Sequence, residues 1–145
     1  MSAPDIEIST ATVVAQLYAV LQLIGTGAGT ARIVTYTTPR PLSIGQAHTD
    51  APQASILLAE PPGDVIGGVL VLYAKDADGA LVMHQGMPRW GDLVSRAGVI
   101  VARADVTDEA HGGPIQLRGG ETPAGDNSPL LYAGSKVQLG SVVLT

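Results

Sequence analysis

The chain contains no cysteine and no phenylalanine, one tryptophan (Trp90) and two lysines (Lys75 and Lys136). Without thiols there are no disulfides, no thiolate metal sites and no cysteine nucleophile. Without phenylalanine the core must come from Val, Leu, Ile and Ala, and the β-branched members of that set favour strands. Charged residues make up 14% of the chain, against about 25% in an ordinary soluble domain. So thinly charged a surface predicts that part of it is covered by a partner. The few cations are scattered and the net charge is −5. The basic clusters that displace counterions from nucleic acid or hold an anionic membrane are therefore missing.

What the chain does have is apolar material and turn signals. Hydrophobic residues reach 46% over 145 residues, enough for one domain with a real core. No internal repeat and no linker composition divides it. Val13, Leu17, Val20, Leu21 and Ile24 fall on one helical face, predicting an N-terminal helix over about residues 10–24. Ser9, Thr10 or Thr12 can cap it, and Gly25 suits a left-handed residue after its end. The apolar run is too short to span a bilayer and carries Gln16 and Gln22. Asp5 and Glu7 ahead of it do not resemble a secretion signal, so synthesis in the cytoplasm is expected.

Beyond the helix the pattern is of short strands broken by Gly and Pro. Strands are expected at 31–38, at Ile56–Glu60 where Pro61-Pro62 should stop it, and at Val69–Ala74. The Lys75–Gly79 turn should fold the last of these into a hairpin with Ala80–His84. Further strands are expected at Trp90–Val94, Val99–Ala104, Ile115–Leu117, Lys136–Leu139 and Ser141–Leu144. The predicted fold is mainly β: an antiparallel β-sandwich, jelly-roll or Ig-like, with one N-terminal helix. Gly119–Pro129 reads as an exposed, mobile loop.

No spacing selects a catalytic, cofactor or metal site. Gly25-Thr26-Gly27-Ala28-Gly29 follows a helix and precedes a strand, the reverse of a dinucleotide fingerprint, and a helix C-terminus repels phosphate. Asp76 and Asp78 lack the further acidic ligands of a calcium loop. His48, His84 and His111 have no zinc-ligand spacing, and no Gly-x-Ser-x-Gly accompanies His111-Gly112-Gly113. Three residues stand out as contact candidates. Trp90 suits either an interface or a core, its indole N–H then bonding a backbone carbonyl. Met87 could join it and Met83 in one patch. Arg40, stiffened between Pro39 and Pro41, suits a salt link to an acidic surface.

The helix, the Gly-Thr-Gly-Ala-Gly string, Ala31-Arg32-Ile33-Val34-Thr35-Tyr36 and Pro39-Arg40-Pro41 together resemble the opening of a family of small structural proteins of tailed phages and prophages. Leu57-Leu58-Ala59-Glu60, Asp76-Ala77-Asp78-Gly79, Gly91-Asp92-Leu93-Val94 and Ala133-Gly134-Ser135-Lys136-Val137 are similar to its later strands and turns. The segment 107–127 is longer than the family pattern. The resemblance implies a virion setting: a capsid decoration (cement) or minor capsid protein contacting the major capsid protein or other virion proteins. A homo-oligomer is expected, with a trimer suiting a three-fold site on the shell. The alternatives are a tail, baseplate or fibre module, then a small hydrolase or ligand-binding module built on a convergence of the histidines. Met1–Ser9 and Gly119–Pro129 are the segments expected to meet a partner.

Overall fold

The computed structural model describes residues 9–142. Apart from Ser9, the expected contact segment Met1–Ser9 lies outside them, as does the end of the last expected strand. Helix α1 spans Thr10–Ile24. Ser9 is its N-cap, with Oγ accepting from Thr12 N–H at 3.2 Å. Leu17 and Ile24 are buried, and Val13, Val20 and Leu21 pack beside them, so the helical face read from the sequence is the face the core uses.

The glycines after α1 serve a different purpose from the one expected. Gly25 has φ −80°, so the helix does not end in a left-handed residue there. The positive φ belongs to Gly27, at +130°, where a Cβ would lie 2.3 Å from Ala97 N. A Cβ on Gly29 would lie 2.7 Å from the Arg96 carbonyl oxygen. The string is glycine-rich because the turn at 95–98 presses against it. Arg96 then closes the helix: its guanidinium donates to the carbonyls of Gly25 (3.4 Å) and Gly29 (3.0 Å), and it pairs with Glu60. A cation here also complements the helix dipole.

Eight strands follow: β1 (Arg32–Tyr36), β2 (Ala54–Ile66), β3 (Val69–Ala74), β4 (Ala80–Leu81), β5 (Trp90–Val94), β6 (Ile100–Asp108), β7 (Ile115–Arg118) and β8 (Lys136–Val142). They form one sheet in the order β3-β2-β1-β5-β6-β7-β8-β4, curled into a half-barrel. The protein is thus mainly β with one helix, as expected. The strands are not divided into two facing sheets, and the pattern is mixed: β6 and β7 run parallel. Parallel neighbours ordinarily need a connection of about a dozen residues. Here the chain doubles back within 109–114, pinned by Gly113 N–H on Thr107 Oγ1 and His111 N–H on Asp108 Oδ1. The concave side holds the main core, including Ile33, Ile56, Leu58, Leu70, Leu93, Leu117, Leu131 and Val137, with α1 packed onto it from the side of β2 and β3.

Three local expectations are corrected. The clearest predicted hairpin, across Lys75–Gly79, does not form, because β3 pairs with β2 while β4 pairs with β8. That turn carries the chain from one edge of the sheet to the other, and the edges meet where Met83 N–H donates to the Gln53 carbonyl. The real hairpin joins β2 to β3 through Gly67 and Gly68, both at positive φ, which a two-residue turn of the right twist requires. Pro61-Pro62 does not stop β2; the pairing register slips between Leu58 and Gly63, so neither proline has to donate to the ladder. Gly119–Pro129 is exposed over most of its length, with Ser128 and Pro129 buried, but it is fastened. Arg89 forks onto Asp126 at 2.6 and 3.0 Å, Thr122 bonds Asp108, and Ser128 Oγ donates to the Val106 carbonyl at 2.8 Å.

Candidate functional site

Alternation along β1 and β5 sends Ile33 and Leu93 to the core and Val34, Tyr36, Trp90, Asp92 and Val94 to the opposite, convex face. All five residues of β5 are nevertheless buried. The convex side must therefore be covered too, and the cover is the chain's own connection from Thr37 to Gln53. Under it lies a second apolar cluster of Val34, Tyr36, Trp90 and Val94. The Tyr36 and Trp90 rings are stacked with centroids 4.2 Å apart, and Trp90 is fully buried.

A charged pair sits in the same layer. Asp92 and Arg103 are direct cross-strand partners of β5 and β6. Arg103 Nε and Nη2 reach the two Asp92 oxygens at 2.7 and 3.1 Å, and both side chains are only 2% exposed. The Arg103 guanidinium also lies 4.8 Å from the centre of the Trp90 ring. Its third donor goes to the Ser43 carbonyl at 3.0 Å, so the ion pair reaches up and holds the covering loop. The bond to Asp92 raises the Arg103 pKa further. Burial, followed by the Asp92 charge, pushes the Tyr36 phenol above its ordinary value.

His48 enters from the loop. Its ring meets Tyr36 and Trp90 edge-on at 4.9 and 5.0 Å. Nε2 lies 3.7 Å from Asp92 and Nδ1 3.4 Å from Asp50, and Nδ1 has no hydrogen-bond partner. Beside this cluster a cleft of about 380 Å³ opens on the convex face, with Arg32, His48, Ser55, Asp92, Val94 and Ile100 among its walls.

The chemistry of this arrangement is restricted. Asp92 already accepts two charge-assisted bonds from Arg103, so it is poorly placed to polarise His48. Among the described residues no hydroxyl is hydrogen-bonded to a histidine ring, and no group of three His, Asp or Glu side chains could hold a metal ion. The three histidines have separate surroundings: His84 near the backbone of Ala51 and Gln85, His111 on Asp108 at 2.6 Å. The geometry suits fastening and presenting a loop.

The sequence-derived contact candidates are scattered. Trp90 is covered by the chain's own loop, and its indole N–H finds no backbone carbonyl, contrary to the expectation for a core tryptophan. Met87 is half-buried with its sulfur 3.8 Å from Arg89, while Met83 is exposed; no single patch joins them to Trp90. Arg40 pairs with Asp105 at 3.0 Å and donates to the Arg103 carbonyl, so it braces the loop from outside. Asp92 and Arg103 were overlooked in the sequence, although each is the one charge in an apolar stretch, the pattern that a buried cross-strand pair leaves. Comparison with family models, with curated proteins and with solved structures finds no match to this chain.

Proposed function

We propose that this chain is a structural protein of a tailed-phage virion, and most specifically a capsid decoration protein that assembles as a homo-oligomer, a trimer, on the head shell. The observation that carries the proposal is where the polar chemistry is spent. The ion pair that is deeply buried on both sides among the described residues, Asp92–Arg103, positions the 37–53 loop, which carries exposed apolar side chains, Leu42 at 99% and Ile44 at 49%. The low charge and the sequence resemblance support the same reading. In it the two flanks of the curled sheet, β2–β3 and β7–β8, serve as the facing layers of a sandwich-like body. A decoration protein that binds only the assembled shell stabilises it by mass action.

The test is the copy number of this chain in purified particles, by quantitative mass spectrometry against the major capsid protein. A fixed ratio matching the shell's three-fold sites supports decoration. A much lower ratio moves the chain to the tail or baseplate, and absence from particles refutes the virion setting.

A further inference from the structure

The covering loop grips a second element with both of its ends. Residues 82–86 form a strip along the edge of the sheet, just beyond β4. One side of the strip is bonded to 131–135: Val82 N–H donates to the Ser135 carbonyl at 2.9 Å, and Gly86 and Leu131 exchange both backbone bonds at 3.0 Å. The loop meets its other side. Gln53, the last residue of the loop and fully buried, takes Met83 N–H on its carbonyl at 2.7 Å. Its side-chain Nε2 donates to the carbonyls of Gly86 at 2.9 Å and His84 at 3.3 Å. Thr37, the first residue of the loop, packs so closely on Gly86 that a Cβ there would lie 2.8 Å from Thr37 Cγ2. The two ends of one loop therefore clamp one strip. The middle of the loop is fastened elsewhere, to Arg103 through the Ser43 carbonyl and to Asp105 through Arg40.

The clamp is incompletely satisfied. Gln53 Oε1 is buried with no hydrogen-bond partner among the described residues. The same holds for Oγ1 of Thr35, whose carbonyl accepts from Gln53 N–H at 2.8 Å. A buried polar atom without a partner is destabilising, and opening this corner gives both atoms access to water. Local opening is favoured at such a point, where few bonds break and polar groups gain solvent. We propose that Gln53 is a latch that couples the covering loop to the 82–86 strip, so that the two close together and releasing either loosens the other. The shared element is the Thr37–Gln53–Gly86 corner, whose open and closed arrangements both segments bias. A contact that fixed the exposed Leu42–Ile44 tip would then be felt at the edge where β2 and β4 meet. The inference stands on these contacts and does not depend on the function proposed above.

Hydrogen exchange and fluorescence in the full chain test the coupling from both ends. Arg103→Lys weakens the grip on Ser43 and touches nothing in the strip. It should speed exchange of the Met83 and Gly86 amides by about 5-fold or more, beyond any change in the β2–β3 hairpin amides, which serve as the internal reference. Arg40→Ala removes only the exposed outer brace and should act in the same direction more weakly, which keeps the test alive if Arg103→Lys does not fold. In the other direction, Gln53→Met removes the side-chain donors and leaves the backbone bonds. It should raise acrylamide quenching of Trp90, the sole tryptophan, which is fully buried under the loop. Met83 and Gly86 amides that ignore both loop variants would overturn the inference. So would an effect in one direction alone, since a coupling free energy is reciprocal.

Discussion

Replacing Arg103 by methionine removes the guanidinium that forks onto Asp92, a carboxylate 2% exposed in the wild-type fold, and strands it among Tyr36, Trp90 and His48. Breaking a buried pair from one side costs about 3–5 kcal/mol, because the remaining charge stays desolvated with its two hydrogen bonds gone, and His48 Nε2 at 3.7 Å is too far to replace them. At roughly 2–4 °C per kcal/mol for a chain of this size, the melting temperature should fall by about 6–20 °C. Removing both charges, as Asp92→Leu with Arg103→Met, takes away the stranded carboxylate. The double variant should therefore lie within about 2 kcal/mol of wild type, and so above the single variant. Arg103→Lys should recover only part of the loss, since an ammonium cannot fork onto both oxygens and Ser43 together. Urea denaturation of the four members of the cycle measures the coupling. Trp90 is the sole tryptophan and lies against Arg103, so its fluorescence reports on this layer. A single-variant cost below about 1 kcal/mol, as for a surface pair, or a double variant equal to the sum of the singles, would refute the argument.

Other outcomes follow from the same structure. Arg89, then the backbone N–H groups of Asn127 and Ser128, hold the Asp126 carboxyl far below the usual range. Its contribution is therefore present above the unfolded value near 4 and is lost as pH falls below it. Asp126→Asn should be less stable than wild type at neutral pH, with the gap closing under acid denaturation. Tyr36 is shifted upward, so the stability it confers is complete below its unfolded value of about 10 and disappears as pH rises beyond it. Tyr36→Phe should flatten the alkaline limb of the stability profile. Gly27→Ala forces a Cβ against Ala97 at a backbone φ of +130° and should cost about 1–3 kcal/mol by thermal melting. Leu70→Ala, fully buried in the main core, should cost about 2–5 kcal/mol by the same measure.

What could be read from the sequence was what depends on neighbours along the chain. The α1 face, the strands at 32–36 and 90–94 and the dominance of β structure follow from period and from turn residues. What could not be read depends on partners far away. Asp76–Gly79 has every feature of a hairpin turn, yet β3 finds more to pair with in β2 and β4 in β8. Asp78 N–H does bond Asp76 Oδ1, so the local chemistry was right and only the destination of the strands differed. The parallel β6–β7 pair could not be foreseen, because a connection spanning 109–114 ordinarily argues against it. The site was hidden for a related reason. Asp92 and Arg103 become a pair only in the β5–β6 register, and Ser43 and His48 join them only when the loop folds over the convex face.

The central claim is that this chain works by contact between copies. The most direct test is the solution mass of the purified chain by light scattering after size exclusion, across a range of concentrations. A stable species at three times 14.8 kDa is the expected result. A strict monomer at every concentration would contradict the claim, leaving the exposed Leu42 and Ile44 side chains and the low charge of the chain without the partner that explains them.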